Sequence, residues 1–215
     1  VCGLVGDNDS TQNPADYGVT SGWGMFRVRG ELPAKFGYTE GTTSVADKRA
    51  MFHTDGQSMM FSSSIDDKKN GYFATKWSNL KEDGTQASNT ASYGVDTDFP
   101  MFRLADVYLM LAESVVRGGT GATASEALGY VNLVRQRAYG DNSGDITAEE
   151  MTVDFFLDER ARELYWECVR RTDLIRFGKF TSDAYVWQWK GNSIDGRGVD
   201  SKYNLYPIPS TEISA

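Results

Sequence analysis

The stretch Phe102-Arg103-Leu104-Ala105-Asp106-Val107-Tyr108-Leu109-Met110-Leu111-Ala112-Glu113-Ser114 decides the fold class. Its apolar positions Leu104, Val107 or Tyr108, and Leu111, continued by Val115, recur at three- and four-residue steps and stop at Gly118-Gly119. That is the spacing of an amphipathic helix. After a short Gly/Thr loop the pattern returns over 124–138 through Ala127, Leu128, Val131 and Val134, with Thr123 or Ser125 as cap, so the two helices form a hairpin. A third, longer helix is predicted from Thr147, whose spacing to Glu150 fits a capping box. It runs through Phe155, Phe156, Leu164, Tyr165 and Leu174 to Phe177 and stops at Gly178. Upstream the texture changes. Residues 1–98 are rich in Gly, Asp, Asn, Ser and Thr with short apolar bursts such as Met59-Met60-Phe61, which is turn chemistry. A strand is predicted over 71–77, a turn at Glu82-Asp83-Gly84, and a helix over 25–36 interrupted by Gly30 and Pro33. The expected fold is mainly α: a helical hairpin plus a long helix, extensive ordered loops and few short strands. Its loop-rich part, 1–98, and its helical part, 99–215, together make one domain.

Composition narrows the function. Among 215 residues, 22 Lys and Arg face 30 Asp and Glu, a net charge of −8 without any basic run, which argues against a nucleic-acid partner. Apolar residues at 40% and charged residues at 24% are ordinary globular usage. Aromatics at 13% and 22 glycines favour long ordered loops that carry exposed rings. No apolar run reaches the roughly 18 residues of a membrane span, and no export signal opens the chain, which starts at Val1-Cys2-Gly3. Cys2 and Cys168 fit no metal-ligand or CxxC spacing and read as isolated thiols.

Candidate chemistry is sparse. Glu159, Arg160, Arg162, Glu163, Glu167, Arg170, Arg171, Asp173 and Arg176 interleave with the third helix's stripe at i,i+3 and i,i+4 spacing. They read as a salt-bridged helix face, with Arg160, Glu163, Glu167, Arg170 and Asp173 fixing that helix against the hairpin. The rival reading is a carboxylate array of Glu159, Glu163 and Glu167, but a glycosidase needs two carboxyls across a cleft and helical spacing alone cannot supply one. His53 has no second His or Cys at ligand spacing, so it reads as a solvated or capping histidine. Asp66-Asp67-Lys68-Lys69-Asn70-Gly71 lacks the ligand order of a calcium loop and reads as a turn. Neither a metal nor a cofactor is expected. Trp23 lies in Gly22-Trp23-Gly24, whose glycines permit a tight loop and either an exposed ring or one folded back as an anchor. Tyr17 is its weaker companion. Tyr185, Trp187 and Trp189 alternate, so an extended segment puts all three on one face, buried or sugar-facing. Trp77 and Trp166 read as core.

These residues carry a resemblance. Phe102 to Ser114, Val131-Asn132-Leu133-Val134-Arg135-Gln136-Arg137-Ala138, the Glu159-Arg160 and Glu163-Leu164 pair of motifs, Arg176-Phe177-Gly178 and Leu205-Tyr206-Pro207-Ile208-Pro209 resemble the SusD/RagB family of surface glycan-binding lipoproteins of Bacteroidetes. The segments Thr20 to Trp23, Phe180-Thr181 and Tyr185 to Gly191 are similar to its starch-binding member in particular. Family members are longer, so the chain resembles their C-terminal part, without the N-terminal tetratricopeptide-like helices and lipid-bearing cysteine. The resemblance implies non-catalytic capture of starch or malto-oligosaccharide at the outer membrane, delivery to a SusC-like TonB-dependent transporter, and an aromatic sugar platform at Trp23. Two rivals remain open, a tetratricopeptide-like interaction module, which the hairpin alone supports equally, and a glycoside hydrolase.

Overall fold

The structure is a computed structural model that describes residues 1, 3–7, 10–90 and 94–213. The expected thiol at Cys2 lies outside the described residues, while Cys168 is exposed and free. Regular structure is mainly helical, in the order α1 (Glu31–Ala34), β1 (Phe52–His53), β2 (Phe73–Ala74), α2 (Leu104–Val116), α3 (Ala124–Tyr139), α4 (Val153–Leu164), α5 (Arg170–Arg176) and α6 (Ser210–Ile213). The expected hairpin is α2 packed on α3, with α4 against α2. A capping box opens α3: Glu126 N–H donates to Thr123 Oγ1 at 3.2 Å, and Thr123 N–H donates to the Glu126 carboxylate at 2.8 Å. Gly140, at φ 87, closes it.

The core of this unit holds Leu109 and Ala112 of α2, Ala127 and Val131 of α3, Met151 and Phe156. The buried face of α2 is therefore not the expected one. Leu104 and Val107 are 62% and 46% exposed, while Ala105, Leu109 and Ala112 are buried. The helix is apolar nearly all round, and the small alanines, which let helix axes approach, take the inside.

The third helix is two helices. The Thr147–Glu150 pair does bond, Thr147 N–H donating to the Glu150 carboxylate at 2.8 Å, but within a turn. The helix itself starts at Val153, where Thr152 Oγ1 accepts from Phe155 N–H. It ends at Tyr165, whose backbone is extended, and the chain passes Trp166 and Cys168 at φ 60 and 63 before α5 restarts. The apolar stripe runs across this break, so periodicity could not see it. Trp166 accordingly lies outside any helix, half-buried, its ring 5.8 Å from that of Phe26, and packs against the edge of the second core described below. The helix expected over 25–36 shrinks to α1 because Val28 pairs with Tyr72 and Gly30 caps the short turn. The strand expected over 71–77 shrinks to β2, paired antiparallel with β1 in the register Phe52 to Ala74 and His53 to Phe73. Residues 66–71 form a turn, as expected.

A second core gathers Leu4, Val28, Phe36, Tyr38, Met59, Tyr72, Ala74 and Tyr165. Phe52 meets the rings of Phe36 and Tyr38 edge-on at 5.5 and 5.7 Å. Trp77 is half-buried against this cluster and stacks on Phe99 at 5.9 Å. Tyr165 links the two halves of the chain, since its hydroxyl donates to the Arg49 carbonyl at 2.7 Å.

Candidate functional site

Trp23 is held out by its backbone neighbours. Gly24 N–H donates to the Val5 carbonyl and Phe26 N–H to the Gly3 carbonyl, both at 2.9 Å, which lays the Trp23 segment along residues 3–6. A Cβ at Gly22 would collide with the Gly6 and Val5 carbonyls, and Gly24 sits at φ +58, so each glycine answers a separate backbone demand. The result is an indole 39% exposed, beside Met25 and Phe26 at 60% and 48%. Arg27 donates from Nη1 to the Gly24 carbonyl at 2.9 Å, which braces the turn.

Tyr17 ends a 3-10 turn, Pro14–Tyr17, capped by Asn13, whose Oδ1 accepts from Ala15 N–H, and closed by Gly18 at φ 70. Its ring is half-buried against Val5 and Val19. Tyr17 and Trp23 thus share the Val5 segment as their support. The Tyr17 carbonyl accepts from Asn79 N–H at 2.9 Å, and buried Asn79 also donates to the Gly18 carbonyl at 3.0 Å. A flat ring on a braced loop, rimmed by polar loops, can stack on the apolar C–H face of a sugar.

The Glu159, Glu163 and Glu167 array is buried, which the sequence did not reveal. Glu159 is 0% exposed and accepts from Arg49 at 2.7 Å, Arg135 at 2.7 Å and Arg162 at 2.6 Å. Glu163 accepts from Arg49, Arg103 and Arg137 at 3.2, 2.8 and 2.6 Å. Glu167 accepts from Arg103 at 2.8 Å and from Lys76. Arg49 also grips Asp47 at 2.9 and 2.6 Å. Burial alone would raise the Glu159 carboxyl, but Arg49, Arg162 and Arg135 outweigh it and hold it down at about 2. The Glu163 carboxyl is held below its ordinary range in the same way, against burial, with Arg137 the leading partner. Carboxylates so locked in the charged form cannot donate a proton at neutral pH, so Glu159 and Glu163 suit no general acid. Arg160 completes the structural set by bonding Asp106 at 2.5 Å and Asp173 at 2.9 Å. Arg170 departs from expectation. It pairs with no carboxylate among the described residues and donates to the Leu157 carbonyl and the Tyr185 hydroxyl at 2.5 and 2.6 Å.

Tyr185, Trp187 and Trp189 do not share a face, because the segment turns instead of extending. Tyr185 and Trp187 meet edge-on at 6.5 Å, whereas Trp189 adopts a left-handed backbone at φ 65. His53 shares a hydrogen bond with Thr11 Oγ1 at 2.7 Å. Among the described residues no group of three His, Cys, Asp or Glu is placed to hold a metal ion.

A model of the SusD family matches residues 54–215. The chain is 38% identical over 174 residues to the starch-binding protein SusD of Bacteroides thetaiotaomicron, covering 80% of this chain and 30% of that protein. It is 36% identical over 148 residues to the SusD-like protein P25 of Formosa agariphila, covering 66% and 26%. Among solved structures it resembles surface glycan-binding protein A from Bacteroides fluxus, with TM-score 0.63, 23% identity, and 94% and 40% of the two chains covered. A SusD superfamily protein from Bacteroides vulgatus gives TM-score 0.53, 23% identity and coverage of 79% and 34%. The chain thus spans under a third of the length of either curated relative, and the structural likenesses speak for the fold alone.

Proposed function

The chain belongs to the SusD family, and from that premise we propose that it is part of a non-catalytic protein that captures starch or a related malto-oligosaccharide at the cell surface. The loop-rich part, 1–98, supplies the sugar surface, and 99–215 the scaffold. Trp23 is the platform on which a glucose ring stacks, and Tyr17 stands beside it. The observation that carries this reading is the indole of Trp23, 39% exposed on a loop pinned by backbone hydrogen bonds. An exposed tryptophan so braced loses little conformational freedom when a sugar stacks on it. The 38% identity to a starch-binding protein supports α-glucan as the ligand. The bound glycan then passes to a SusC-like TonB-dependent transporter in the outer membrane, with attachment by an N-terminal lipid outside this chain. No described helix is long and apolar enough to cross a membrane.

A second reading draws on the exposed face of α2, Leu104, Val107 and Met110, which suits a tetratricopeptide-like interaction module. Calorimetric titration of the whole protein with malto-oligosaccharides, with a β-linked glucan as control, separates the two. Saturable heat with the α-glucan alone is expected. No saturable binding of either sugar overturns the proposal, and release of reducing sugar from starch overturns its non-catalytic part.

A further inference from the structure

Most arginines of this chain are neutralised. Of thirteen, eight pair with carboxylates, which leaves five among the described residues. Four of those five, Arg27, Arg29, Arg170 and Arg171, line one cavity of about 570 Å³ between α5 and residues 27–35. That volume is within the range of about 300–1,000 Å³ typical of small-molecule sites. Arg170 spends two donors and Arg27 one on the carbonyls and hydroxyl already described, and Arg171 donates to the Tyr203 carbonyl at 2.8 Å. Arg27 Nε is buried and has no hydrogen-bond partner; Asp67 and Asp7 act on Arg27, and Glu31 on Arg29, through charge, without a side-chain hydrogen bond to either guanidinium among the described residues. A donor buried without an acceptor is costly unless a ligand fills it.

Rings form the rest of the wall: Trp166, Phe180, Tyr185 and Trp187, each half-buried. Trp166 reaches this wall from a left-handed backbone that a tryptophan rarely adopts, and such strain concentrates at binding sites. The cavity also holds one acceptor in want of a donor. Glu31 accepts the Gln188 N–H through Oε1 at 2.6 Å, while its Oε2 is buried without a partner. Asp173, the other acid here, is already taken by Arg160 and Arg176.

We propose that this cavity is a second ligand site and that it binds a carboxylate-bearing sugar, a uronic acid unit of an oligosaccharide. A carboxylate answers the guanidiniums that hydrogen-bond no carboxylate among the described residues, bidentate if two adjacent donors are used. A hydroxyl answers Glu31 Oε2, and the C–H face of the ring answers the tryptophans. A neutral glucan supplies the last two but not the first. The choice of a sugar rests on the glycan-binding reading above, while the anion rests on the arginines alone.

The test is calorimetric titration of the whole protein with tri-galacturonate, maltotriose and inorganic phosphate in separate arms. Saturable binding of tri-galacturonate is expected to weaken at least tenfold in Arg171→Gln and in Arg29→Gln, with the unfolding midpoint of each variant measured alongside to separate lost binding from lost folding. Trp23→Ala should leave that binding unchanged and lower only that of the malto-oligosaccharide. Absence of tri-galacturonate binding while maltotriose still binds overturns the second site alone. Failure of both sugars overturns the glycan reading. Phosphate binding as tight as tri-galacturonate, or tri-galacturonate binding indifferent to both arginine variants, overturns the uronate assignment.

Discussion

Replacing Glu159 by glutamine should destabilise the protein by about 3 kcal/mol at neutral pH, and the deficit should shrink in acid. Glu159 is 0% exposed and faces Arg49, Arg135 and Arg162. Its carboxyl is held at about 2 in the folded chain against an ordinary 4.5. Each tenfold change in an ionisation constant is worth ~1.4 kcal/mol, so the drop corresponds to about 3 kcal/mol. The folded value lies below the unfolded one, so this contribution is complete above pH 4.5 and is lost as pH falls through about 2. An amide keeps the shape but cannot balance three guanidiniums, and breaking a buried pair commonly costs about 3–5 kcal/mol. Urea unfolding followed by tryptophan fluorescence, repeated from pH 7 to pH 2.5, measures the difference. The variant's midpoint should fall at pH 7 and its gap from the parent should narrow steadily as pH drops from 4.5 toward 2.5. A variant as stable as the parent at pH 7, or a gap that stays constant through that window, would refute the claim that the charge on Glu159 stabilises the fold.

Trp23→Ala should weaken malto-oligosaccharide affinity at least ~tenfold and barely move the unfolding midpoint, because a half-exposed ring contributes little to the core; an unchanged affinity in titration removes the platform assignment. Gly22→Ala should lower both the melting temperature and that affinity, at a cost of about 1–3 kcal/mol, since its Cβ meets backbone carbonyls that cannot yield; calorimetry checks the first and titration the second. Glu163→Ala should cost about 3 kcal/mol or more of stability by stranding Arg49, Arg103 and Arg137, while the folded fraction binds sugar as before; lost affinity at full stability would place it in the site instead. Tyr165→Phe should cost about 1 kcal/mol in urea unfolding through the lost bond to the Arg49 carbonyl.

Part of the candidate site was legible in the chain. Gly22 and Gly24 flag a tight loop at Trp23, but the reasons for the two glycines differ, one being a close backbone crossing and the other a positive φ. The crossing partner, Gly6, is sixteen positions away, and no local pattern points to it. The arginines of the second cavity were hidden for the same reason. Arg171 reads as one more charge of a helix face, and only the fold shows that no carboxylate among the described residues pairs with it and that Arg27 and Arg29 stand nearby.

By itself the sequence determined the elements whose signals are complete within a turn or two: the α2–α3 hairpin, a cap at its second helix and the loop chemistry of residues 1–98. Contacts three or four residues apart make those choices, and the residues involved are adjacent in the chain. Tertiary structure decided the rest. It chose the alanine face of α2 for the core and cut the predicted third helix at Tyr165, whose ring is claimed by the second core instead. It also gave the salt-bridged helix face its distant partners and buried it. Arg49 meets Glu159 across 110 positions, and Arg103 meets Glu163 across 60. A carboxylate's burial depends on which distant guanidinium arrives to neutralise it, and that is a property of the packed chain, absent from any local stretch of it.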